Sequence, residues 1–112
     1  MKKIEAIIRP GKVGEVCAAL AKIGHPGVMI TEIEGHGRQQ GVEHQMRGKT
    51  YKVELLGKSR VEVVVKNSDL DKTIKAIADA AITGKVGDGK IFIYPVEDAV
   101  RIRTSERGEI AV

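Results

Sequence analysis

The stretch Thr83-Gly84-Lys85-Val86-Gly87-Asp88-Gly89-Lys90-Ile91 carries the strongest chemical signal in the chain. Closely spaced glycines let several backbone N–H groups converge on one anion, and Lys90 adds a point charge at the edge. From Gly84 to Lys90 the spacing resembles the phosphate loop G-x-x-x-x-G-K. Ile91, however, stands where that loop needs a metal-binding Ser or Thr, and the turn leads from a helical pattern into a strand pattern, the reverse of a phosphate loop. A nucleotide hydrolase of that kind is excluded. Two readings stay open for the segment by itself, a backbone cradle for an anion and a tight connection with no ligand. Arg101-Ile102-Arg103 bears on the choice. In an extended segment residues two apart share a face, so the guanidiniums would present two planar donor forks suited to a polyphosphate. Alone such a pair reads as a solvated edge; beside the glycine-rich turn it favours phosphate.

Gly35-His36-Gly37-Arg38-Gln39-Gln40-Gly41 is a weaker pattern. Its alternate glycines expose amides that could hold a carboxylate, and Arg38 and Gln39 supply side-chain donors. Tyr51 is one of three aromatic residues, with Phe92 and Tyr94. Lying outside the predicted core strands, it either covers the base of a loop or serves as a modification site or partner anchor. His25, His36 and His44 lack zinc-ligand spacing. Cys17, the single cysteine, falls on the apolar side of a helical pattern and reads as core rather than nucleophile.

The elements that would position these groups follow from periodicity. Lys2–Arg9 alternates apolar with charged residues as a strand does, and Pro10-Gly11 ends it. Val13, Val16, Cys17, Leu20 and Ala21 recur at helical spacing until Gly24 and Pro26-Gly27. Residues 28–34 read as a second strand. Residues 59–66 form a third, with Val61, Val63 and Val65 on one face. Ser68 or Asp69 would cap a second helix whose stripe is Leu70, Ile74, Ile77 and Ala81. Residues 91–96 give a fourth strand and 100–104 a short extended tail. This order, β-α-β, loop, β-α-β, predicts an α+β ferredoxin-like split βαβ sandwich with a long loop between strands 2 and 3 and a short C-terminal strand. Helices would cover one sheet face. Ile7 and Val64 suggest an apolar opposite face, which a homo-oligomer would bury.

Composition sets the class. The chain has 112 residues, 42% hydrophobic and 30% charged, enough for one domain with its own core. No run approaches the 18 apolar residues of a membrane span, and no signal-peptide core follows Met1, so a cytoplasmic protein is expected. Arg38, Arg47, Lys49, Lys52, Lys58 and Arg60 face only Glu43 and Glu54 between positions 38 and 60, which accounts for the whole net charge of +4. A basic, aperiodic loop of this length inside a small domain points to a partner-facing role. RNA-recognition modules share the predicted topology but stack bases on sheet aromatics, where this chain has Ile, Ala and Val. No phosphate-loop Ser or Thr supports Glu62 or Asp88 as a general base, so no enzyme is expected.

Taken together, these residues resemble the PII nitrogen regulatory signal-transduction family, from Met1 to nearly Val112. The opening Met1-Lys2-Lys3-Ile4-Glu5-Ala6-Ile7-Ile8-Arg9-Pro10 is similar to that family's first strand. Thr83-x-x-x-Gly87-Asp88-Gly89-Lys90-Ile91-Phe92-Ile93 fits its C-terminal signature, Arg101-Ile102-Arg103-Thr104 its tail, and Arg47-Gly48-x-x-Tyr51 part of its loop. The resemblance implies one domain over 1–112, a homotrimer, ATP or ADP in clefts between subunits, and a mobile partner-binding loop over 37–55. The residues matching the nucleotide site are Ile7, Gly35, Gly37, Arg38, Gln39, Glu62, Val64, Gly87, Asp88, Gly89, Lys90, Arg101 and Arg103. Gln39 would ligate Mg²⁺ held with ATP and 2-oxoglutarate, and 2-oxoglutarate would meet Gly37, Gln39, Gln40, Gly41 and Lys58. Implied partners are ammonium transporters, the only route to a membrane, or enzymes and regulators of nitrogen metabolism, read through Arg47 and Tyr51. Nucleic acid is not among them. The alternative is a PII-like adenine-nucleotide sensor with another effector and partner.

Four places depart from the family pattern. Met29 stands where threonine commonly contacts nucleotide, His36 where an aromatic is common, and Gly57 where proline precedes Lys58. Lys49-Thr50 replaces a small residue and an acid before Tyr51, which bears on uridylylation or adenylylation of that phenol and removes a serine that some members phosphorylate.

Overall fold

A computed structural model describes residues 1–25, 27–33 and 57–112, together with the backbone of two short strands at 44–46 and 49–51. Its main sheet has four strands, β1 (Lys2–Ile8), β2 (Met29–Ile33), β5 (Lys58–Val65) and β6 (Lys90–Pro95). They lie in the order β2-β5-β1-β6, and every neighbouring pair is antiparallel. Helix α1 (Val13–Lys22) links β1 to β2, and α2 (Leu70–Ala81) links β5 to β6. Each crossover therefore steps over one strand, which interleaves the two halves as the ferredoxin-like order requires.

Alternation decides which face is buried. Ile4, Ala6 and Ile8 of β1 lie beside Val61, Val63 and Val65 of β5 on the helix side, where Val16 and Leu20 of α1 and Ile77 and Ala81 of α2 close over them. All ten are buried. Helix α1 ends as its glycine predicted. Gly24 takes φ +94°, its N–H donates to the Ala21 carbonyl at 3.1 Å, and the His25 N–H donates to the Leu20 carbonyl at 2.8 Å. Both bonds of a Schellman cap are thus present. Cys17 is half-buried in α1.

Several expectations need correction. The opposite sheet face is not apolar: Lys3, Glu5, Arg60 and Glu62 occupy its centre, with Ile7 and Val64 half-buried beside them. Glu5 and Glu62 sit directly opposite each other across β1 and β5, where like charges repel. Lys3 at 3.0 Å from Glu62, and Arg60 at 3.7 Å from Glu5 and 3.5 Å from Glu62, offset that repulsion. Tyr94 donates its hydroxyl to Glu5 at 2.7 Å, which raises the phenol's pKa. Nor does the tail form a strand. Asp98 accepts from the N–H groups of Ala99 and Gly108 and from Arg107, and Val100 pairs with Arg107 in a single bridge. Ser105 at φ +62° then reverses the chain. Neither Ser68 nor Asp69 caps α2 through its side chain, because a 3₁₀ turn over Asn67–Asp69 precedes it. Finally, the basic segment contains two short paired strands, β3 (His44–Met46) and β4 (Lys49–Tyr51), where Thr50 and Tyr51 favour extended backbone.

Gly89 and Gly14 test the packing from opposite sides. A Cβ on Gly89 would lie 1.7 Å from the Ile7 carbonyl oxygen, at φ +103°, whereas one on Gly14 in the first turn of α1 would meet nothing within 4 Å. Gly89→Ala should cost about 3 kcal/mol or more. Gly14→Ala should gain about 0.5 kcal/mol. Urea unfolding of both variants at one protein concentration checks the pair.

Candidate functional site

The segment between α2 and β6 is held shut by one carboxylate. Asp88 accepts through Oδ2 from the N–H groups of Thr83 and Gly84, both at 2.9 Å, and through Oδ1 from the Thr83 hydroxyl at 2.5 Å and Arg9 Nε at 3.1 Å. Those donors, the Thr83 hydroxyl foremost, hold its carboxyl well below the usual carboxylate range. Gly84, Gly87 and Gly89 all have positive φ, at +86°, +105° and +103°, which only glycine adopts without strain. Gly89 packs its backbone against the end of β1, as the 1.7 Å virtual contact shows. Arg9 Nη2 also donates to the Val86 carbonyl at 2.8 Å, and Lys58 Nζ donates to the Gly87 carbonyl at 2.5 Å. The loop is therefore tied to β1 through Arg9 and to β5 through Lys58.

This arrangement brings Lys58, Gly87, Asp88, Gly89 and Lys90 together at one end of the sheet, with Ile7 paired to both Arg60 and Lys90. It also gives Asp88 a local role, since its carboxylate fastens the loop. Glu62 and Val64 share the open face with Ile7 but sit nearer the other end, opposite Glu5 and Lys3. Val64 is four residues beyond the Ile7 partner Arg60, about 13 Å along the strand. Arg101 and Arg103 follow the far end of β6, which carries the chain about 17 Å from Lys90. There the Val96 N–H donates to the Met1 carbonyl at 3.1 Å. Arg101 Nη1 pairs with Glu106 Oε1 at 2.7 Å, and Nη2 donates to the Ile110 carbonyl at 3.0 Å. Arg103 is exposed on the same turn, so the pair does not share one strand face as expected. The predicted residues thus divide into two groups at opposite ends of one subunit.

Gly35, Gly37, Arg38, Gln39, Gln40, Gly41 and Arg47 lie outside the described residues, and Tyr51 is described only as backbone in β4. Sequence reasoning missed Arg9, Asp98 and Glu106. Arg9 precedes a strand-ending proline and gave no local sign of its partner 79 positions away. Asp98, Glu106 and Arg107 carry a visible charge pattern, but only the chain reversal makes it a clasp.

With the fold and this loop in place, comparison with known proteins decides the family. A family model described as "Nitrogen regulatory protein P-II" matches residues 1–106. The chain belongs to the P-II family. It is 50% identical to the nitrogen regulatory protein P-II of Rhodospirillum rubrum and 51% identical to that of Azospirillum brasilense, each over 112 residues and the full length of both chains. Among solved structures it is similar to Arabidopsis thaliana PII bound to citrate, with a TM-score of 0.78 and 40% identity, covering 99% of this chain and 91% of that one. P-II proteins are regulators rather than enzymes, and this chain is a nitrogen regulatory signal protein. Among the described residues no helix is long and apolar enough to cross a membrane.

The Asp88 clasp makes a pH-dependent prediction. Its folded pKa lies below the ordinary 3.8, so its stabilisation is complete above that value and is lost as pH falls through the lower folded value. Asp88→Asn should lower Tm by a constant margin from about pH 7 to pH 5, and the margin should narrow below about pH 4. A margin unchanged down to pH 3 would mean that the charge at Asp88 does not hold the loop.

Proposed function

We propose that the chain is a homotrimeric cytoplasmic sensor of ATP or ADP and, with MgATP, of 2-oxoglutarate, and that it passes their state to partner proteins through residues 37–55. The observation that carries this reading is the division of the candidate residues between two ends of the subunit. A phosphate at the Gly87–Lys90 backbone is beyond reach of Arg101 and Arg103 of the same chain, so a complete pocket needs the tail of a neighbour. Sites in clefts between subunits meet that demand. Ile7, Gly87, Gly89 and Lys90 would come from one wall, and Glu62, Val64, Arg101 and Arg103 from the other. The loop would offer backbone amides and Lys90 to the phosphates, while Asp88 fastens its shape. Gly35, Gly37, Arg38 and Gln39 would complete the nucleotide site.

Lys58 would receive 2-oxoglutarate together with the amides of Gly37, Gln39, Gln40 and Gly41. An ammonium has three donors, so it can keep the Gly87 carbonyl and still meet a carboxylate. That bond would couple the effector directly to the nucleotide loop. The citrate bound by the Arabidopsis relative supports a polycarboxylate as the kind of effector this fold accepts. Mg²⁺ takes hard oxygen ligands and retains waters. Such an ion would arrive with ATP and gain the Gln39 amide oxygen. When bound there it would supply charge neutralisation for the two anionic ligands, so MgATP would support the oxo acid where ADP would not. Arg47 and Tyr51 would then face an ammonium transporter or an enzyme or regulator of nitrogen metabolism, with Tyr51 a possible modification site.

Calorimetric titration of 2-oxoglutarate in the presence of MgATP, then MgADP, tests the reading. Binding should require MgATP. Lys58→Ala should weaken 2-oxoglutarate binding at least 100-fold and weaken ATP only a few-fold, through the lost bond to Gly87. Normal 2-oxoglutarate binding by that variant would show the effector site to be misassigned. Nucleotide binding with no 2-oxoglutarate response would favour an adenine-nucleotide sensor with a different effector.

A further inference from the structure

The two ends of the subunit also carry apolar surface that the ligand chemistry leaves unused. Ile102, between the two arginines, is 96% exposed. It is not exposed by fraying. The Arg101 N–H donates to the Glu106 carbonyl at 2.8 Å, the Ser105 N–H to the Arg101 carbonyl at 2.7 Å and the Gly108 N–H to the Ala99 carbonyl at 2.9 Å, while Asp98 and Arg107 close the base of the turn. The chain fixes a large aliphatic side chain in water at the tip of a braced reversal. At the opposite end of β6, a cavity of about 310 Å³ opens between the last turn of α2 and the first residues of the strand. Ile8, Ile77, Ala78, Ala81, Ile82 and Ile91 line it, and Asp88, Gly89 and Lys90 complete the lining. Around it the apolar surface continues in Ile82, 62% exposed, and Val86, 88% exposed.

We propose that Ile102 of one subunit seats in this cavity on the next. The inference rests on the trimeric reading above and adds the contact that would register one subunit on its neighbour. Knob and cavity lie at opposite ends of a six-residue strand, so a subunit cannot fill its own cavity. A contact between unlike surfaces repeats head to tail and closes into a ring when the rotation permits. The occupant is therefore a second copy of this chain. Its flanking residues agree: seating Ile102 against the Gly89-Lys90 wall carries Arg101 and Arg103 to the loop that lacks them within its own chain. The aliphatic contact sets position and the arginines supply charge. The cavity is at the small end for a ligand site but has room for one branched side chain.

Disulfide trapping reads this contact directly. In a Cys17→Ala background, Ile102→Cys is combined with Ala78→Cys, an exposed position on the cavity wall, and the protein is oxidised. Interchain bonds should give a ladder ending at a covalent trimer, and neither single-cysteine variant should give one. Ile102→Asp should weaken ATP binding at least tenfold and promote dissociation on dilution, as followed by light scattering. If no ladder forms while the assembly remains trimeric and binds MgATP, the seating is wrong and the cavity is left to another occupant, such as a small apolar ligand. If the unsubstituted chain is monomeric, the trimeric reading falls and this inference falls with it.

Discussion

Everything at the loop end of the subunit depends on how closely Gly89 approaches β1. With no side chain there, the backbone of the α2–β6 connection lies against the Ile7 carbonyl at a distance that any Cβ would forbid. That approach puts Arg9 within reach of Asp88 and Val86, and Lys58 within reach of Gly87. The Asp88 carboxylate then gathers donors from the start of the connection and from Arg9. The result is a loop whose backbone is already arranged, so an anion bound there, as proposed, would not have to order it. The connection ends a helix and starts a strand through the same few bonds.

Much of this was legible in the sequence, for reasons that differ from place to place. Strand and helix order followed from periodicity because one face of each element must meet the core, and Val61, Val63 and Val65 could not all be buried in any other register. Gly24 announced its cap because positive φ at that site suits no other residue so well. The family signature was readable because the glycine spacing around Asp88 reflects a demanding backbone path. The open sheet face was misread. Ile7 and Val64 suggested apolarity, but Lys3, Glu5, Arg60 and Glu62 become a network only when register sets them side by side. The tail was misread for a related reason, since alternation between Arg101 and Arg103 looks extended until Asp98 and Ser105 turn the chain. Local pattern could be read; pairings across 55 or 79 positions could not.

The charged open face bears on how such a subunit would meet its copies. Its three ion pairs and the Tyr94–Glu5 hydrogen bond are made within one chain, so each charge there keeps an opposite partner. Arg60 Nε, however, is buried without a hydrogen-bond partner, and desolvation would offset much of the gain from burying the face. Apolar residues stand at its margins, with Met29 59% and Phe92 45% exposed. Charges fixed at its centre favour association in a defined register over indiscriminate adhesion.

The separation of the candidate residues between the two ends of the subunit has a consequence for inheritance. With each pocket drawn from the head of one chain and the tail of the next, as proposed, an allele damaged at Lys90 and another damaged at Arg101 would each be inactive in a homogeneous ring. In a cell that expresses both, mixed rings would contain some clefts in which an undamaged head meets an undamaged tail. The two defective genes would complement one another, whereas two alleles damaged at the same end would not.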